Sequence, residues 1–129
     1  MRIEFVYHKL QVWHLAKGLV KNIYSITKRF PPEEKFGLVG QINRAAISIA
    51  SNIAEGSGRT SRKDQAHFTQ LAYGSLMEVA CQLEIARDLD FIGEDDLTAV
   101  FASIKTIAEK LSALRRSQLA EMNKKTVEG

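Results

Sequence analysis

Residues 41–63 read QINRAAISIASNIAEGSGRTSRK, and this stretch decides the fold. With Leu38 just ahead of it, Ile42, Ala45, Ile49 and Ile53 recur at steps of three and four, the spacing of a helix face packed on a core. Arg44, Ser48, Ser51, Asn52 and Glu55 recur with the same spacing on the opposite side. A solvated helix face normally carries long Lys and Glu, whereas this stripe is mostly hydroxyls and amides. Such short groups let another helix approach closely, and once buried they need hydrogen-bond partners. The stripe is therefore expected to face protein, either a neighbouring helix or another subunit. Gly56 is expected to end the helix in the left-handed conformation that glycine tolerates. Gly56 to Thr60 reads as a short flexible turn, with Ser61 opening the next helix.

On the N-terminal side, a first helix is predicted from Leu10 to Phe30. Val12, Trp13, Ala16, Leu19, Val20, Ile23, Tyr24 and Thr27 form its apolar stripe, and Lys17, Lys21 and Lys28 lie on its polar side. Pro31 and Pro32 stop it, because the residue before a proline disfavours helical geometry. The second helix is then predicted from about Pro32 to Glu55, with Gly37 and Gly40 as weak points. Residues 1–7 alternate weakly and read as an extended arm.

On the C-terminal side, Ser61 to Asp64 resembles a capping box with Asp in place of Glu. Phe68, Ala72, Leu76, Val79, Leu83 and Ala86 supply the core stripe of a third helix. Gly74 sits near its middle, followed by Ser75 and Glu78. Glycine inside a helix costs about 1 kcal/mol relative to alanine, so close contact with the short-residue stripe of the second helix is the expected compensation. Asp88 to Gly93 is a turn, and Glu94, Asp95 and Asp96 suit a helix start. Leu97, Val100, Phe101, Ile104, Ile107, Ala108, Leu111 and Leu114 carry the fourth helix. Residues 120–129 lose the periodicity and are expected to form a mobile tail. Four amphipathic helices joined by short loops predict an all-α, antiparallel up-down-up-down four-helix bundle, with residues 1–129 as a single domain.

Composition agrees with that expectation. The chain has 129 residues, 45% hydrophobic and 26% charged, enough to bury roughly two-thirds of its unfolded surface. A lone cysteine, Cys81, excludes an internal disulfide framework, fits a reducing cytoplasm and reads as an inert packing thiol. No apolar run is long enough for a membrane span, and no signal peptide is evident. The formal charge is only +3, but cations dominate residues 1–63 and acids dominate Glu78 to Asp96. Basicity returns from Lys105 onward. This asymmetry suits a solvated surface, a polyanion partner or charge-steered self-assembly.

Catalytic and metal chemistry have no foothold in the sequence. No nucleophile–base pair, P-loop or GxGxxG occurs. The Glu-x-x-His pair of a di-iron bundle is missing, with Asp64-x-x-His67 the nearest approach. His8, His14 and His67 lie on different segments without ligand spacing, and no cofactor is implied. Arg44, Asn52, Glu55 and Glu78 read either as a functional cluster or as a buried polar network that sets helix register. Arg59, Arg62 and Lys63, beside free amides at a helix start, could hold a phosphate or simply be solvated. Tyr7, Trp13, Tyr24 and Tyr73 could stack on bases, although Trp13 lies on the core stripe.

Trp13 with Ala16, the segment FPPEEKFGLVGQINRAAISIASNIAEGSGR (30–59), LAYGSLME (71–78) and LEIARDLDFI (83–92) together resemble the 23S rRNA intervening-sequence protein family of four-helix bundles. Members are bacterial, and some are encoded inside insertions in large-subunit ribosomal RNA genes. The resemblance implies a homopentameric ring with no enzymatic activity. It also implies a nucleic-acid role, because an accessory protein of retroelements with a similar fold binds RNA and a reverse transcriptase. Arg44, Ser48, Asn52, Glu55, Arg59, Gly74, Ser75 and Glu78 occupy the family's characteristic positions. Asn43 stands where many relatives carry a second arginine, and Ala50 where proline is common, so the second helix should be straighter here.

These readings lead to a non-enzymatic cytoplasmic oligomer that binds RNA or DNA through Arg59, Arg62, Lys63, Lys17, Lys21 and Lys28. The alternative is a structural or adaptor ring whose partner is a protein.

Overall fold

The computed structural model describes residues 2–128, with side chains through Glu121. The chain forms four α-helices: α1 (Gln11–Thr27), α2 (Leu38–Ser57), α3 (Arg62–Asp88) and α4 (Glu94–Glu128). Short 3-10 turns at Val6–Lys9 and Pro32–Glu34 precede α1 and α2. Among the described residues there is no strand. Each helix packs on its chain neighbours and α4 closes back on α1, while the diagonal pairs make no close backbone approach. Cross-helix bonds fix the directions. Thr27 near the end of α1 reaches Asn43 early in α2. Gln41 and Ser48 on α2 meet Gln82 and Ser75 on α3 in reverse order. Thr69 early in α3 pairs with Gln118 late in α4, and Arg29 after α1 meets Asp96 at the start of α4. The bundle is antiparallel at every contact.

The core follows from the helical periodicities. Val12, Ala16, Leu19, Ile23 and Ile26 of α1, together with Ile42, Ala45, Ala46, Ile49 and Ile53 of α2, are buried. Ala72, Leu76, Val79, Leu83 and Ala86 of α3 join Leu97, Val100, Ile104, Ile107 and Leu111 of α4 in the same cluster. Phe30 and Ile92, from the connecting segments, plug one end. Fully burying one such side chain contributes on the order of 1.5–3 kcal/mol, so the stripe is what holds the fold.

Several boundaries differ from the sequence expectation. The second helix starts at Leu38, not Pro32. Gly37 breaks the path, and the Glu34 carboxylate accepts a hydrogen bond from the Leu38 amide at 3.1 Å, capping the new start. The same helix runs on through Ser57, and no described glycine has a positive φ. Gly56 is therefore not a left-handed stop; it is buried, and a β-carbon there would lie 2.8 Å from the Phe68 β-carbon. Its role is close approach of α2 to α3. The segment after Leu119, expected to form a mobile tail, is helical through Glu128 as the end of α4, in keeping with the helix preference of Ala, Glu, Met and Lys. Residue 129, also assigned to that tail, lies outside the described residues. The N-terminal arm is shorter than expected, because Val6 and Tyr7 already belong to the first 3-10 turn.

Candidate nucleic-acid interface

The polar stripe of α2 divides between two environments. Ser48 and Ser75 share a 2.9 Å hydrogen bond across the α2–α3 seam, and the Asn52 amide donates to the Ser48 hydroxyl at 3.0 Å and to its carbonyl at 2.9 Å. A second polar knot lies two turns away, where the Gln82 amide donates to Gln41 and to Glu78, both at 3.2 Å. Arg44, Ser51 and Glu55 instead point outward and are exposed. Of the expected network, Ser48, Asn52 and Ser75 share one knot, Glu78 joins the separate knot at Gln82, and Arg44 and Glu55 lie outside both.

Gly74 departs from expectation. It is exposed on α3, and a β-carbon there would have nothing within 4 Å. It is an outward notch and does not serve the α2 contact. Cys81, read as a packing thiol, is also exposed. Both lie on the outer face of α3, where Leu71, Met77 and Ile85 are 41%, 38% and 45% exposed. Leu71, Gly74, Glu78, Cys81 and Ile85 follow steps of three and four, the repeat of a helix seam.

The basic turn between α2 and α3 is pinned. Gln65 donates to the Arg59 carbonyl at 2.8 Å and accepts from Arg62 at 3.0 Å, and the Ser61 hydroxyl caps α3 by accepting from the Asp64 amide at 3.1 Å. Arg59 pairs with Glu55 at 2.9 Å and lies over the Phe68 ring at 4.5 Å. Arg62 pairs with Glu121 of α4. Lys63 is exposed and has no hydrogen bond or ion pair among the described residues. Two of the three turn cations therefore already face a carboxylate, which lowers the positive potential there.

The lysines of α1 are placed differently. Trp13, Lys17, Lys21, Tyr24 and Lys28 fall at helical spacing on one face, so they share a line along the helix. All three lysines are exposed, and none forms an ion pair among the described residues. Lys17 sits 5.4 Å from the centre of the Trp13 ring, which in turn stacks at a tilt on Tyr7, 4.7 Å away. Between this face and α2 runs an apolar groove of about 630 Å³, floored by Ile47, Ala50 and Ala54 and rimmed by Tyr7, Trp13, Lys17, Lys21 and Tyr24. No carboxylate lines it among the described residues. Sequence reasoning named the aromatics and the lysines separately; the signal that joins them was the 13–17–21–24–28 spacing. Asn43 accepts a 3.0 Å hydrogen bond from the Thr27 hydroxyl and ties α1 to α2.

Among the described residues no group of three or more His, Cys, Asp and Glu is placed to hold a metal ion. No helix is long and apolar enough to cross a membrane, again among the described residues.

The fold and its polar seams define a small antiparallel four-helix bundle. Residues 8–113 match the 23S rRNA-intervening sequence protein family, and the chain belongs to that family. A crystal structure of a protein of unknown function from the S23 ribosomal protein family of Bacteroides thetaiotaomicron is similar in fold, with a TM-score of 0.75. It is 23% identical, and the alignment covers 81% of this chain and 97% of that one. Comparison with curated proteins gave no match.

Proposed function

We propose that this protein is a non-enzymatic, homo-oligomeric helical bundle that binds RNA or DNA through its basic surface. The observation that carries the reading is the α1 face, where Lys17, Lys21 and Lys28 stand exposed beside aromatic rings, without carboxylate partners among the described residues. Lys63 adds a cation at the α2–α3 turn, and Arg59 and Arg62 contribute once phosphate competes for them, since exposed ion pairs hold by about 1 kcal/mol or less. The family's name ties it to intervening sequences of 23S ribosomal RNA, which makes such RNA the first probe.

Assembly follows from the outer face of α3. Its exposed apolar residues and the Gly74 notch suit close packing against another copy, and Phe36, 92% exposed at the α1–α2 connection, offers a further apolar contact. Five copies in a closed ring is the number we favour, on the family resemblance, and a ring would present the α1 cations repeatedly. The same α3 face also suits a protein partner, which keeps the adaptor reading as the alternative.

Mobility shifts with ribosomal RNA fragments and duplex DNA at two salt levels test the proposal. Phosphate contacts make affinity fall steeply with salt, so binding at low salt that weakens sharply at high salt is expected. No binding at low salt would overturn the nucleic-acid reading and leave the adaptor.

A further inference from the structure

The groove between α1 and α2 combines features that a purely electrostatic contact does not need. Aromatic rings stand at both ends, Tyr7 and Trp13 at one and Tyr24 at the other, with Lys17 and Lys21 between them. From Trp13 to Tyr24 the separation along α1 is about 16 Å at the helical rise of 1.5 Å per residue. The floor of Ile47, Ala50 and Ala54 is apolar, and the volume of about 630 Å³ lies in the range of ligand clefts. Tyr24 is 38% exposed, so part of its surface remains open to a partner.

Resting on the nucleic-acid reading above, we infer that this groove is a single-strand site, in which unpaired bases stack on Tyr24 and on the Trp13 end while Lys17 and Lys21 hold the intervening phosphates. Ring platforms at both ends with two cations between them suit a strand that offers bases to the rings and the phosphates between those bases to the lysines. A duplex hides its base faces in its own stack and can use only the lysines, whereas single strands gain their affinity from aromatic platforms set in a basic groove. A peptide partner would use the apolar floor but has no need of rings separated by paired lysines.

Trp13 is the chain's only tryptophan, so its emission reports directly on the groove. The test titrates the full-length protein with a labelled oligouridylate and with the same strand annealed to its complement, reading label anisotropy and Trp13 emission together. The single strand is expected to bind and to change Trp13 emission, and Tyr24→Ala to weaken it by about tenfold or more, as removal of one stacked base predicts. Duplex affinity should change by less than about twofold in that variant, because only lysines carry it. Tyr24→Phe, which keeps the ring, should bind as the parent does; a merely structural role for Tyr24 would affect both nucleic acids alike. If the strand binds while Trp13 emission stays fixed and Tyr24→Ala binds normally, the groove is excluded and the broader nucleic-acid reading survives. If neither strand nor duplex changes anisotropy, both fail. If Trp13 emission changes with protein concentration alone, a second copy covers the groove and the inference is overturned.

Discussion

At the residue scale the α2–α3 seam is decided by contacts of single atoms. Gly56 has the Phe68 β-carbon 2.8 Å from where its own would stand, and that neighbour is too close to its backbone to swing away. Gly56→Ala should therefore cost about 1–3 kcal/mol through forced separation of the helices, read as a lower midpoint in chemical denaturation. An unchanged midpoint would mean the seam opens without penalty. A buried hydroxyl–amide pair makes a second comparison. Thr69 and Gln118, 4% and 7% exposed, satisfy each other across α3 and α4 at 2.8 Å. Thr69→Val strands the Gln118 oxygen and should cost about 1–3 kcal/mol, with Gln118→Leu in the same chain recovering part of that cost. Gln82 behaves oppositely. Its amide nitrogen serves two acceptors, which leaves its buried carbonyl oxygen without a partner among the described residues. Flipping the amide would only face an oxygen with two others. Gln82→Leu should accordingly leave stability within about 1 kcal/mol of the parent, or raise it.

At the element scale the helices were legible because each carries an uninterrupted apolar stripe at the 3.6-residue period. Ile42, Ala45, Ile49 and Ile53 are buried where that period puts them. Helix ends were less legible, since they depend on local competition that periodicity does not record. Pro32 can open a helix, but Gly37 and the Glu34 cap moved the start to Leu38. The two glycines exchanged roles for a similar reason. A glycine after a helical stripe signals either a stop or a close approach, and only the facing residue, Phe68 opposite Gly56, distinguishes them. The candidate site was legible in its parts but not in its assembly, because Ile47, Ala50 and Ala54 come from a different helix than the lysines they accompany. Gly74 bears on this scale too. With open space at its β-position, Gly74→Leu should keep the parent's helical signal and gain up to about 1 kcal/mol of helix propensity. Sedimentation should nonetheless show a smaller particle if α3 faces another copy. An oligomer of parental size would remove α3 from the interface.

At the scale of the whole molecule, antiparallel packing turns a charge asymmetry in sequence into one in space. The acids Asp88, Asp90, Glu94, Asp95 and Asp96 gather at the end that holds the α3–α4 turn, where Arg29 and Arg87 partly offset them. Arg59, Arg62 and Lys63 lie at the opposite end, and the α1 lysines run between the two along one side. A polyanion meeting this surface finds along α1 a line of cations that no described carboxylate pairs. The most direct test is the salt dependence of binding to a ribosomal RNA fragment by the parent and by Lys17→Gln/Lys21→Gln/Lys28→Gln. These residues are exposed, so the variant should melt as the parent does. Removing one lysine–phosphate pairing lowers the slope of log affinity against log salt by about 0.7–0.9, and the predicted result is a slope smaller by about two to three, with weaker binding at low salt. A folded variant with the parent's slope and affinity would contradict the account.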